Sequence, residues 1–195
     1  MYKVWDFEEK KTFFTSDLHF NHDREFVWGP RGFKSCKEMN ETQIANWNAV
    51  VGKNDRVFVL GDFFLGKDKD FVWDTLDKLN GEIIVVLGNH DTPAKIAIYE
   101  THPKIIAIVD AIRGFYKNRK YLGCHYITYT AGLEQDPRHA VFDLFGHTHS
   151  KEKFLEDRPT NYNVAMDAHN NTPVSIDDID NDITEKINEC IAFLQ

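Results

Sequence analysis

Cysteine is scarce in this sequence: 195 residues hold three, Cys36, Cys124 and Cys190. Their odd count and wide spacing argue against a disulfide framework and fit reduced thiols in a cytosolic setting. No CxxC pair exists, so a cysteine zinc site is not expected. No run reaches the ~18 apolar residues of a membrane span. The opening segment, Met1-Tyr2-Lys3-Val4-Trp5-Asp6, lacks the apolar core of a secretion signal. A cytoplasmic location is therefore the expectation. Positive charge is also short, with 23 Lys and Arg against 31 Asp and Glu, a net charge of -8. A chain that holds long duplex nucleic acid by charge alone would be basic. An anionic substrate stays open, because bound divalent cations invert a local field.

What is present describes an ordinary globular chain. Hydrophobic residues make up 42% and charged residues 28%, a balance that excludes general disorder. The length suits one α/β domain over residues 1–195, and no composition shift marks a boundary. Residues 11–16 form a short β-rich run. Residues 20–38 read as a loop, broken by Gly29-Pro30 and Gly32. Helical spacing of Ile44, Trp47, Val50 and Val51 predicts a helix over 39–51 with Asn40 as its cap. Apolar runs over 56–60 and 83–87 predict buried strands, and residues 70–79 an amphipathic helix. Pro93 opens a further helix. Strands follow over 105–112, 120–126, 140–145 and 162–166, then an amphipathic helix over 177–194 carried by Ile179, Ile183, Ile187, Ile191 and Leu194. This order suggests layered sheets with helices packed outside.

Five polar clusters stand at strand ends: Asp17-Leu18-His19, Gly61-Asp62, Gly88-Asn89-His90-Asp91, Gly123-Cys124-His125 and Gly146-His147-Thr148-His149. Alone, each has a bland reading as a cap, a turn or a hydrogen-bonded core histidine. Together they supply two carboxylates, one amide oxygen and four imidazoles, from elements whose carboxyl ends can converge. That donor mixture suits manganese, iron or zinc better than calcium. Seven donors exceed one tetrahedral ion and suffice for two if a carboxylate bridges them.

In this order the motifs resemble the calcineurin-like metallophosphoesterase superfamily, with D-x-H, G-D, G-N-H-D, a strand ending in His, and G-H-x-H all intact between Asp17 and His149. The opening Asp17-Leu18-His19-Phe20-Asn21-His22 is similar to a compact, single-domain phage- or bacteria-type subgroup. The resemblance implies a four-layer α/β/β/α sandwich, two mixed sheets flanked by helices. It implies a dinuclear centre with two divalent ions: manganese first, or iron, zinc, nickel or cobalt. Asp17, His19 and His149 would hold one ion, Asn89, His125 and His147 the other, and Asp62 would bridge. His90 would act as general acid, with Asp91 orienting it. The implied activity is hydrolysis of a phosphate ester by a metal-bridging hydroxide, with a phosphodiester favoured over a monoester.

Beyond the motifs, His22 and Arg31 could touch substrate, Arg31 by a bidentate grip on phosphate. The bland readings are a surface histidine and a solvated loop arginine. Phe20, Phe26, Trp28 and Phe33 could stack on a base but fit core packing better. His102, His139 and His169 read as structural or exposed. Residues 117–120 read as an exposed basic turn. A nucleotide or short single-stranded nucleic acid is an open substrate, and a homo-oligomer an open assembly. Two competing classes are a non-catalytic metal-binding scaffold of the same fold, as in relatives that have lost the catalytic histidine, and a metal store. The store reading needs no His90.

Overall fold

The computed structural model describes residues 3–128, 140–156 and 158–193. The expected character of His139, the end of the last helix at Leu194 and the side chain of Ile191 lie outside the described residues. Eleven strands and five helices follow one another among those residues: β1 (Val4–Asp6), β2 (Thr12–Thr15), α1 (Glu25–Trp28), α2 (Cys36–Val50), β3 (Arg56–Leu60), α3 (Lys69–Lys78), β4 (Glu82–Val86), α4 (Pro93–Tyr99), β5 (Ile105–Val109), β6 (Ile112–Tyr116), β7 (Arg119–Gly123), β8 (Val141–Phe145), β9 (Phe154–Leu155), β10 (Arg158–Asn163), β11 (Val174–Ser175) and α5 (Ile176–Phe193).

They form two mixed sheets flanked by helices, as the resemblance implies. One sheet has the order β11-β2-β3-β4-β5, the other β1-β6-β7-β8-β10-β9. β2, β3, β4 and β5 run parallel, in the register Thr15↔Val59 and Val59↔Val85. Their carboxyl ends therefore finish side by side. β7, β8 and β10 are also parallel, so the ends of β7 and β8 meet on the other sheet.

Two cores hold this arrangement. Phe14, Phe58, Leu60, Ile84 and Val86 face Tyr121, Phe142, Leu144 and Tyr162 between the sheets, and Ile176, Ile179 and Ile183 of α5 complete that layer. On the opposite face of the five-stranded sheet, Phe13, Val57, Val59, Ile83 and Val85 pack under Trp47 of α2, Leu76 of α3 and Tyr99 of α4. β3 is buried along its whole length, which explains the apolar run from Val57 to Leu60; Arg56 at its start is paired with Glu9.

Three expectations need correction. The run 105–112 is two strands, because Asp110-Ala111 separates β5 from β6 and the chain passes between sheets there. The helix expected at 39 begins at Cys36, capped by Ser35, whose hydroxyl accepts the Glu38 amide at 3.1 Å. The Glu38 carboxylate accepts the Lys34 amide at 2.7 Å, so Ser35-x-x-Glu38 works as a near capping box. The exposed turn expected at 117–120 is confined to Lys117 and Asn118, since Arg119 and Lys120 already belong to β7, and Lys117 and Arg119 reach back to Asp180 on α5.

Candidate metal centre

All five motif loops leave strand ends on the same side, and hydrogen bonds lace them together. The amide of Asp17 donates to Gly61 O (3.1 Å), and that of His19 to Asp62 O (3.0 Å). The amide of His147 donates to Asp17 Oδ2 at 2.8 Å, and that of His90 to Asp62 Oδ1 at 2.8 Å. Asp17, His19, Asp62, His147 and His149 all have positive φ, between 51° and 68°. Left-handed backbone costs a non-glycine residue about 1–2 kcal/mol. Five such residues in one place mark a site whose geometry is imposed by its surroundings. The adjoining glycines are needed for close approach. A Cβ on Gly61 would overlap the His125 ring, and one on Gly146 would overlap Ser16 and Asp17.

Each carboxylate is tied down by one oxygen and presents the other. Asp17 Oδ2 also accepts Ser16 Oγ at 2.7 Å, while Oδ1 is buried without a hydrogen-bond partner. Asp62 Oδ2 stands 3.7 Å from His19 Nε2, 3.5 Å from His125 Nε2 and 4.0 Å from His90 Nε2. The imidazoles follow the same rule. His125 Nδ1 donates to Leu60 O at 2.8 Å, which points Nε2 at Asn89 Oδ1 (2.9 Å) and His147 Nδ1 (3.2 Å). His149 Nδ1 meets Asp167 Oδ2 at 3.1 Å, which leaves Nε2 3.6 Å from Asp17 Oδ1. His19 Nε2 is buried without a hydrogen-bond partner, 3.8 Å from Asp17 Oδ1.

These atoms fit divalent cations. Donors at ~2.1 Å from one ion lie roughly 3–3.5 Å apart, close to the spacings above. Ligand atoms of Asp17, His19 and His149, and of Asp17, Asp62 and His125, fall within 4.8 Å of one another. Two buried polar atoms with nothing to bond would each be costly in an apolar site; a cation between them removes that cost. Burial, reinforced by His149, Arg31, His22 and His90, holds the His19 pKa down at about 2, so the ring is a neutral donor.

His90 reaches the edge of this cluster, 42% exposed by side chain. Asp91 stands behind it, but its carboxylate does not touch the His90 ring. It accepts the amides of Asp62 and Gly88, both at 2.9 Å, and the Tyr99 hydroxyl at 2.9 Å. Lys95 Nζ, buried in α4, donates to His90 O and Phe64 O, each at 2.6 Å. Burial lowers the Lys95 pKa and raises that of Asp91.

His22 and Arg31, expected at the substrate, are turned inward. His22 is buried, its Nδ1 3.2 Å from His19 Nδ1. The Arg31 side chain is 2% exposed and saturated: it donates to both oxygens of Asp167 (3.0 and 2.7 Å), to Asp17 O (2.7 Å) and to Leu18 O (3.2 Å). A guanidinium so committed has no donor left for phosphate. Asp167 is a residue that sequence reasoning missed, since it belongs to no motif. Burial alone would raise its carboxyl; hydrogen bonds from His149 and Arg31 outweigh this and hold it at about 2. Of the loop aromatics, Phe20 is buried and Phe26 is 72% exposed, packing edge-on against His22. Tyr126, half-exposed, packs on His125 and His147 with ring centroids 5.0 Å from each. His102 is a buried partner of Asp77, and His169 bonds Asn163 O.

Sheet pair, strand-end loops and histidine–carboxylate cluster define a metallophosphatase-type hydrolase fold. The family model for calcineurin-like phosphoesterases matches residues 10–191, and the chain belongs to that family of metal-dependent phosphoesterases. An uncharacterized protein of Methanocaldococcus jannaschii, MJ1445, is 32% identical over 86% of this chain and 88% of its own length. The Gene 66 protein of Mycobacterium phage L5 is 37% identical over 42% of this chain and 40% of its own. The solved structure of AQ665, a protein of unknown function from Aquifex aeolicus, shares the fold with a TM-score of 0.66 and 23% identity, covering 88% of this chain and 98% of that one. No described helix is long and apolar enough to cross a membrane.

Proposed function

We propose that this chain hydrolyses a phosphodiester at a dinuclear centre, with Asp17, His19 and His149 at one ion, Asn89, His125 and His147 at the other, and Asp62 between them. The observation that carries the reading is the pair of buried, unpartnered ligand atoms, Asp17 Oδ1 and His19 Nε2, beside the shared Asp62 Oδ2. When bound, two divalent ions supply a hydroxide nucleophile near neutral pH and neutralise charge on the phosphoryl oxygens. Manganese is the first choice, with iron, zinc, nickel and cobalt as alternatives.

The chain's own part is positioning and proton transfer. His90, exposed at the edge and 4.0 Å from Asp62 Oδ2, gives its proton to the departing ester oxygen. Asp91 acts by fixing the Asp62 and Gly88 backbones, not by touching His90. Lys95 fastens the His90 carbonyl, and His22 steadies His19. A diester suits the site better than a monoester. Arg31, the guanidinium nearest the ligands, is spent internally, which leaves less positive charge for a dianion. Tyr126, exposed beside His125 and His147, offers a face to a flat substituent, which favours a small nucleotide or short single strand. One domain, working in the cytoplasm, is enough for this activity.

The test is hydrolysis of bis-p-nitrophenyl phosphate by metal-stripped protein, without metal and with added manganese, iron, zinc, nickel or cobalt in turn. Metal-restored turnover is expected. Inactivity with every one of the five metals would replace the enzyme reading with the metal-binding scaffold.

A further inference from the structure

The inference rests on the dinuclear reading and concerns Asp167, which no motif contains. It lies in a 3-10 turn, Met166–Ala168, placed next to the first ligand loop by the Met166 amide, which donates to Ser16 O at 3.0 Å. Asp167 Oδ2 is shared by Arg31 Nη2 (2.7 Å) and His149 Nδ1 (3.1 Å), and Arg31 Nη2 also donates to Asp17 O. One buried ion pair thus holds the ring of one expected ligand and the backbone of another, from opposite ends of the motif series.

We propose that the Arg31–Asp167 pair is a positioning device for one ion alone, the ion of Asp17, His19 and His149. The contacts of the pair separate that position from its neighbour: it bonds Asp17 and His149, and among the described hydrogen bonds it reaches none of Asn89, His125 and His147. The His149 side chain is 41% exposed, so packing does not fix its ring angle and the bond to Asp167 must. The His125 side uses no charged support: its ring is fully buried and bonded to a backbone carbonyl, Leu60 O. A carboxylate on the far nitrogen also makes the ring a stronger donor through Nε2. The bland alternative is an ion pair that only pins the 29–33 loop to the 166–168 turn. Such a pair would affect folding and leave both ions alike.

Metal counting on the full chain distinguishes the two. Wild type, Asp167→Asn and the charge-neutral Arg31→Gln/Asp167→Asn would be titrated with Mn²⁺, followed by elemental analysis and electron paramagnetic resonance. Wild type is expected to bind two ions with a spin-coupled spectrum. Both variants should keep one ion at wild-type affinity, bind the second roughly 10- to 100-fold more weakly, and show the spectrum of an isolated Mn²⁺. Two coupled ions of wild-type affinity in the variants would overturn the proposal, as would equal loss of both ions from a variant with native circular dichroism. The double variant leaves no unpaired buried charge, so it gives the reading if the single variant fails to fold. Fewer than two ions in wild type would sink the dinuclear reading itself, an outcome distinct from two ions throughout.

Discussion

His149 and His125 each bring Nε2 to a carboxylate, His149 to within 3.6 Å of Asp17 Oδ1 and His125 to within 3.5 Å of Asp62 Oδ2, but their rings are held differently. On the His125 side the far nitrogen bonds a strand carbonyl, and the ring is fully buried. On the His149 side the far nitrogen bonds a carboxylate that is itself paired with a buried guanidinium. The buried His125 ring is aimed by a strand carbonyl. The exposed His149 ring is met by a charged partner brought from elsewhere in the chain. The comparison explains why Arg31, expected to meet substrate, faces inward: without it Asp167 would be a buried, unpaired charge.

Perturbations of the shared residue should have the largest effect. Asp62→Ala removes the oxygen common to both sides, so metal analysis should find both ions lost and turnover at background. Next comes His90→Ala, which spares both sides. It should keep its metal while turnover on an alkyl ester, a poor leaving group, drops by roughly 10²–10⁴-fold; equal rates on that ester would remove His90 from the mechanism. Glycines offer a matched pair. Gly61→Ala drives a methyl into the His125 ring and Gly146→Ala drives one into Asp17. Each should lower unfolding stability by about 1–3 kcal/mol, read from urea midpoints; Gly32→Ala, with open space but a φ of +88°, should cost only the left-handed backbone strain of about 1–2 kcal/mol.

The smallest effect concerns pH. His169, at the end of the turn that carries Asp167, has its pKa lowered chiefly by burial. Above its unfolded value both states hold a neutral ring. Below it the unfolded chain takes up a proton that the folded chain resists, so stability falls as pH falls. The loss is bounded at about 1.4 kcal/mol per pH unit. Urea unfolding between pH 7.5 and 5.5 should show His169→Gln less acid-sensitive than wild type; equal slopes would assign the acid sensitivity to other groups.

Residues that use local rules were readable. β3 and β4 announce themselves as apolar runs, because a parallel strand covered on both faces has no polar side. The nine motif positions were readable as a set because strand ends converge. What sequence alone could not reveal was how side chains cross the fold. Asp167 and Arg31 are far apart in the chain, and nothing local says that they meet. Asp91 sits next to His90 in sequence yet serves Asp62, because the loop turns its carboxylate toward backbone amides. The division of 105–112 was missed because β5 and β6 are both apolar and only a two-residue change of direction separates them. The Ser35-x-x-Glu38 cap was legible but masked by the breakers just before it.

The most direct test of the account is a crystal structure of Mn²⁺-loaded protein with an anomalous difference map. Two peaks about 3.5–4 Å apart, one on each side of Asp62, are predicted, with His149 still bonded to Asp167. A map with no peak at Asp62, or with the seven side chains turned away from one another, would contradict it.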